Sequence, residues 1–127
     1  MSLDITPAVP EGRQTIQSYG AGKFVVAGVE HRGPVLVFAE VTVAWDVSDF
    51  AGISAESLAP LLERASETDI LLFGCGASLM PVPTQIRAQL KAAGISVEPM
   101  DSGAACRTFN VLLSEDRRVA AALIPVD

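Results

Sequence analysis

The pattern of apolar and polar positions divides the chain into a β-rich first half and a second half in which helices and strands alternate. In the first half, runs of β-branched and aromatic residues separated by glycine and proline predict strands. The expected strands cover residues 15–19, residues 23–27 with a continuation to 31, and residues 35–43, the last as one bent strand or two short ones.

In the second half, apolar residues recur three times at helical spacing. The first helix is expected to begin at Ser54, a good N-cap residue, and to run for about three turns. A second helix follows Pro83 and ends at Gly94, and a third follows Asp101 as its N-cap. Continuous apolar runs predict buried strands between and after these helices. These runs are residues 69–73, 95–100 and 119–124.

This order of elements predicts an α/β fold built around one central sheet. We expect a mixed, largely parallel sheet with helices packed on it. The N-terminal antiparallel β meander adds strands to that sheet or forms a small second one. Because no repeat or interior linker divides the chain, residues 15–127 are expected to form a single domain. Residues 1–14 are expected to be a loosely ordered lead-in.

Composition excludes several classes of protein. The chain has 127 residues, half of them apolar, and a formal net charge of −6, which argues against nucleic-acid binding because that needs a basic face. The longest apolar stretch, residues 35–45, is far shorter than the roughly 20 residues of a membrane-spanning helix. No secretory signal is visible, so we expect a cytoplasmic protein. No spacing predicts a metal site, and no cofactor is expected.

The first candidate site is the glycine-containing turn formed by Gly74, Cys75 and Gly76, which directly follows a predicted buried strand. Ligands of open α/β sheets bind at the carboxyl ends of strands, and glycines let a phosphate approach the backbone. The third glycine of the dinucleotide fingerprint is missing, because position 79 is leucine, and Pro81 separates the next helix from the glycines. A tight turn is therefore favoured, and nucleotide binding is the alternative.

The second candidate is a polar cluster around the start of the third helix. Its members are Asp101, Ser102, Cys106, Arg107, Thr108 and Asn110. The helix dipole is expected to lower the pKa of the Cys106 thiol, and Arg107 can hold an anion in a bidentate fork. The chain's only histidine, His31, lies in a separate turn, so no Cys–His pair indicates catalysis. Alternatively, Cys106 is a small buried apolar residue, and Arg107 and Asn110 tie loops together.

Trp45 and the two cysteines leave further alternatives open. Trp45 follows an apolar strand and is either an anchor for a partner or part of the core. Cys75 and Cys106 are 31 positions apart, which fits neither a metal site nor a disulfide framework. Both are expected to be reduced thiols, although a single bridge between them stays open.

Several segments resemble the Mth938-like family, also called DUF498. They are the sequences ILLFGCG at 70–76, Pro83 with Ile86, Arg87 and Leu90, Gly94 to Glu98, MDSGAACRTFN at 100–110, and RRVAAAL at 117–123. The resemblance covers about residues 15–124, and the stretch from Met100 onwards is its most specific part. Many relatives have threonine at the position of Cys75 and tyrosine at that of Phe109, so any role of a hydroxyl there does not transfer.

The resemblance implies a layered α/β domain with a central mixed sheet and no assigned catalytic residue. Its mitochondrial branch is an assembly factor for respiratory complex I and acts through protein contacts at the inner membrane. An interaction or assembly role with protein partners is therefore favoured, and this implies a cytoplasmic or peripheral inner-membrane location. The alternative is a small-molecule site at residues 74–76 and 101–110. The surface shared with the family comprises Gly74, Gly76, Asp101, Arg107, Thr108 and Asn110.

Overall fold

The computed structural model describes residues 13–127, so the expected lead-in, residues 1–14, lies almost entirely outside the described residues. Within this range the chain forms two sheets and three α-helices. The strands are β1 (Ile16–Gly20), β2 (Lys23–Val26), β3 (Val29–Arg32), β4 (Val35–Val37), β5 (Thr42–Ala44), β6 (Ile70–Gly74), β7 (Ser96–Met100) and β8 (Val119–Leu123). The helices are α1 (Ala59–Glu63), α2 (Thr84–Ala92) and α3 (Ser102–Ser114).

The smaller sheet is an antiparallel meander of β1, β2 and β3. Its two turns are Ala-Gly pairs with positive φ at both residues: 53° and 75° at Ala21 and Gly22, and 48° and 82° at Ala27 and Gly28. Such turns match the twist of a hairpin. The prediction that residues 28–31 continue the second strand is wrong, because the chain reverses at Ala27. Alanine rarely adopts positive φ, so the pair is a weak turn signal.

The larger sheet has the strand order β5-β4-β8-β6-β7 and is mixed, as predicted. Strand β6 pairs in parallel with β7 and β8, while β4 pairs antiparallel with β8 and β5. Residues 35–43 contribute two short strands rather than one bent strand. The parallel pairing brings the carboxyl ends of β6, β7 and β8 to one edge of the sheet, and α3 begins directly after β7.

Alternate side chains of the larger sheet pack into two separate core layers. Leu71 and Phe73 of β6 pack on one face with the residues of α1 and α2. Leu72 packs on the other face, where Phe109 of α3 and Phe24 of the small sheet complete the core. Strand β6 is therefore buried on both sides, which explains its continuous apolar sequence.

The first predicted helix is much shorter than the expected three turns. A 3₁₀ turn at Glu56–Leu58 precedes the five-residue helix α1, and a second 3₁₀ turn follows at Ala65–Glu67. Pro60 has no N–H to donate, so an α-helix cannot run through it from Ser54, although proline fits the first turn of α1.

The other helix boundaries lie close to the predicted ones. Helix α2 begins at Thr84, with Pro83 at the N-cap rather than at the first helical position, and the chain leaves it through Gly94 at φ 84°. Helix α3 is capped by Asp101, whose Oδ1 accepts a 2.8 Å hydrogen bond from the N–H of Ala104. This cap fixes the start of α3 at the carboxyl edge of the sheet.

Candidate functional site

The backbone amides of the glycine-containing turn are already occupied by hydrogen bonds. The N–H of Cys75 donates to the carbonyl of Met100 at 2.8 Å, and that of Gly76 donates to Ser102 Oγ at 2.9 Å. A phosphate-binding loop needs amides that point at the ligand. The turn therefore has the geometry of a strand leaving the sheet, and these amides are not available to a nucleotide.

Close packing explains why position 74 is glycine. A Cβ built on Gly74 would lie 2.8 Å from Cδ2 of Leu123 and 3.0 Å from Oγ of Ser102. The space beside the Cα atom of Gly74 is thus filled by β8 and by the start of α3, which leaves no room for a side chain.

Ser102 joins three elements at this edge of the sheet. Its buried hydroxyl accepts from Gly76 and donates to the carbonyl of Ile124, just after β8. No buried side-chain nitrogen or oxygen in residues 13–127 lacks a hydrogen-bond partner. Asp101 and Ser102, two of the predicted site residues, therefore stabilise the fold locally.

The two cysteines lie in different core layers, on opposite faces of the larger sheet, and both are free. The sheet between them excludes the disulfide that the sequence left open. Burial raises the pKa of the Cys106 thiol to about 12, and the charge of Arg107 lowers this pKa by less than burial raises it. The expectation that the helix dipole lowers this pKa is wrong, because desolvation disfavours the thiolate more strongly. Cys106 is thus a neutral core residue.

Asn110 connects α3 to the small sheet. Its Oδ1 accepts from the N–H of Ile16 at 2.9 Å, and its Nδ2 donates to the carbonyl of Ile16 at 2.8 Å. The amide side chain thus makes the two hydrogen bonds with Ile16 that a neighbouring strand would otherwise make. Thr108, two residues before Asn110 in α3, is partly buried.

Arg107 lies on the exposed side of α3 and contacts Tyr19 of β1. Its Nη1 donates to the phenol oxygen of Tyr19 at 3.0 Å. Gly103, one turn earlier in α3, lies against the same ring: a Cβ there would come within 2.5 Å of Tyr19 Oη. Sequence reasoning missed Tyr19 and Gly103. The one available signal was a glycine inside a helix, which often marks a close approach.

Trp45 is 3% exposed, donates from Nε1 to the carbonyl of Ser57 at 2.8 Å, and packs edge-on against Phe73. Its ring packs in the core on one face of the larger sheet. Within the described range, no group of three or more His, Cys, Asp or Glu side chains is placed to hold a metal ion.

The arrangement defines a small layered α/β domain. Most of the polar cluster on α3 joins elements of the fold, and part of it lines an exposed groove between α3 and β1. The sequence model described as a protein of unknown function, DUF498/DUF598, matches residues 16–124. The chain belongs to this family, which confirms the resemblance seen in its sequence.

Three relatives illustrate the range of the family. An uncharacterised protein of Rhodobacter capsulatus is 42% identical over 115 residues, 91% of this chain and 87% of the relative. The NADH dehydrogenase (ubiquinone) 1 alpha subcomplex assembly factor 3 of Danio rerio is 37% identical over 124 residues, 98% of this chain and 71% of the relative. A crystal structure described as an outer membrane protein from Bartonella henselae has a TM-score of 0.85 at 38% identity and covers 91% of this chain and 98% of that one.

Proposed function

We propose that the chain is a non-catalytic assembly factor that binds protein partners during the construction of a respiratory complex of the NADH dehydrogenase type. The observation that carries this proposal is the similarity to the zebrafish assembly factor, 37% identity over 98% of the chain. The similarity extends over both sheets and all three helices, so the two proteins share a whole domain rather than a local motif.

The geometry of the polar cluster supports a binding role rather than a catalytic one. A thiol nucleophile needs a lowered pKa or a neighbouring base, whereas burial raises the pKa of Cys106. The amides of Cys75 and Gly76 are occupied within the fold, which disfavours a phosphate ligand at that turn. These observations favour the interaction hypothesis over the nucleotide-binding alternative.

On this proposal the chain acts at the cytoplasmic face of the inner membrane, beside the growing complex, as a peripheral protein. No helix among residues 13–127 has the length and apolar character needed to cross a bilayer. On this proposal, contacts with subunits of the complex hold the chain at the membrane.

Affinity purification of the chain at native abundance from its own cells, after mild crosslinking, tests the proposal. Mass spectrometry should identify subunits or assembly intermediates of the NADH dehydrogenase complex, enriched over a matched purification of an unrelated acidic protein of similar size. Recovery of no respiratory subunit above that control would contradict an assembly role. A screen of nucleotides and small organic acids by thermal shift would then test the alternative, because a bound ligand stabilises the folded state.

A further inference from the structure

Arg107 has a charge that nothing in the described part of the chain neutralises. Its hydrogen bond goes to the neutral phenol of Tyr19, and no carboxylate of residues 13–127 pairs with it. Four other arginines do have a carboxylate within 3.4 Å: Arg13, Arg32, Arg64 and Arg118. An exposed guanidinium held in place without a counter-charge is suited to receive an external anion.

Tyr19 supplies a second donor beside the guanidinium. Its hydroxyl oxygen accepts from Arg107, so its own proton is directed elsewhere. In the described residues this proton has no protein acceptor. A carboxylate has two oxygens and acts only as an acceptor, so one group can accept from Arg107 and Tyr19 together.

The two donors lie in an open groove between β1 and α3. The groove has a volume of about 380 Å³ and is lined by residues 16–19 together with Cys106, Arg107 and Asn110. Its two walls, β1 and α3, are held together by the paired hydrogen bonds of Asn110 and by the packing of the Tyr19 ring against Gly103. A wall fixed before binding lowers the entropy cost of ordering the site.

The groove is better suited to an extended protein segment than to a small free acid. Among the described strands, β1 is an edge strand that pairs with β2. Asn110 takes the main-chain groups of Ile16, but residues 17–19 of β1 still line the groove, where an extended segment can pass beside them. Apolar surface flanks the arginine on both sides: Tyr19 is 42% exposed, and Val111, one helical turn beyond Arg107, is 55% exposed. A side chain neighbouring the acid can pack there.

We propose that this groove binds an acidic side chain of an extended partner segment, with its carboxylate held by Arg107 and Tyr19. The proposal rests on the proposed function, because it names the chemistry by which an assembly factor would hold its partner. Charge complementarity and the position of residues 17–19 along the groove support this occupant.

Titration of the isotope-labelled full chain with peptides tests the proposal by NMR. The probe is a small set of peptides of the form acetyl-Gly-X-Asp-X-Gly-amide with apolar X, and the matched set carries Asn in place of Asp. The Asp peptides should shift the amide signals of residues 16–19 and 103–111 and bind at least tenfold more tightly than the Asn peptides, the effect of a charge-assisted pair of hydrogen bonds. Equal binding of both sets, or no Asp-dependent shift at millimolar concentration, would overturn the proposal.

Three variants locate the interaction. Arg107→Gln should reduce affinity at least tenfold, and Tyr19→Phe, which keeps the ring, should reduce it by about fivefold. Arg117→Gln makes the same charge change beyond the far end of α3 and should bind like the wild type. Unchanged binding by Arg107→Gln would overturn the assignment. Succinate that shifts the same signals while no Asp peptide does would indicate a free-acid site instead of a protein-segment site.

The proposed groove site and the proposed assembly role can be rejected independently of each other. Recovery of respiratory subunits by Arg107→Gln at the wild-type level would reject the groove and leave the assembly role in place. Asp-dependent peptide binding without recovery of such subunits would reject the assembly role and leave an acidic-segment site.

Discussion

The phenol oxygen of Tyr19 lies 3.0 Å from Nη1 of Arg107 and joins the small sheet to helix α3 across 88 residues of sequence. The contact exists because residue 103 is glycine, since any Cβ there would overlap the phenol group. One small residue thus determines the position of an aromatic ring and, through it, the orientation of the exposed arginine.

Gly103→Ala should displace Tyr19 with little change in stability. The ring lies near the surface and can swing outward. The better helix propensity of alanine, worth about 1 kcal/mol, offsets a lost hydrogen bond of about 1 kcal/mol. The free energy of unfolding should therefore change by less than about 1 kcal/mol, while the NMR contacts between the Tyr19 ring and residue 103 disappear. Retention of those contacts in the alanine variant would contradict the packing described here.

Asn110→Ala should destabilise the joint between α3 and β1. The change removes both hydrogen bonds to Ile16, and at about 1 kcal/mol each the expected loss is about 2 kcal/mol in urea unfolding. Asn110→Asp keeps the acceptor and removes the donor, so its stability should be intermediate. Hydrogen exchange at the Ile16 amide should accelerate in the alanine variant. Exchange at the wild-type rate would show that Asn110 does not protect this strand.

Ser102→Ala should reduce stability more than the loss of one hydroxyl group usually does. The variant leaves the Gly76 N–H and the Ile124 carbonyl without their side-chain partner at a buried site. Because each buried unpaired group costs about 1–3 kcal/mol, we expect a loss of about 2–4 kcal/mol. Ser114→Ala is the matched control: its exposed hydroxyl bonds only to Val111, and its removal should change stability by less than about 0.5 kcal/mol. Equal effects of the two variants would contradict a special role of Ser102.

The local signals in the sequence predicted those elements whose boundaries depend on neighbouring residues. Asp101 and Gly94 fix the ends of helices within one turn, and both were identifiable. Helix α1 is shorter than predicted because the missing N–H of Pro60 outweighs the favourable helical spacing of the apolar residues. The turn at Ala27 was not predicted from the sequence because alanine is unusual at positive φ. Of the residues that line the proposed groove, Cys106, Arg107 and Asn110 belong to the polar cluster that is visible in the sequence. The partners of Arg107 and Asn110 on β1 come from the other end of the chain, and no local pattern links them.

Ionisation of the Cys106 thiol should lower the free energy of unfolding at alkaline pH. In the unfolded chain its thiol ionises near the ordinary pKa of about 8.5, whereas in the folded chain burial raises the pKa to about 12. The contribution of this group is therefore fully present below pH 8.5 and is lost progressively as pH rises toward 12.

Comparing urea unfolding of the wild type and Cys106→Ala between pH 8 and 10 isolates this contribution from other groups that titrate there. The stability of the wild type should fall more steeply with pH than that of the variant. In the same pH range, iodoacetamide should alkylate Cys106 slowly in the folded chain. Parallel pH profiles, or rapid alkylation, would show that the thiol is neither neutral nor protected.

The most direct test of the assembly role is deletion of the gene in its own organism, followed by native gel analysis of the respiratory complexes. The account predicts that fully assembled NADH dehydrogenase complex falls while the other respiratory complexes keep their amounts. The wild-type chain should restore the complex, and so should Arg117→Gln, whereas Arg107→Gln should restore it less well. A normal amount of assembled NADH dehydrogenase complex in the deletion strain would contradict the account.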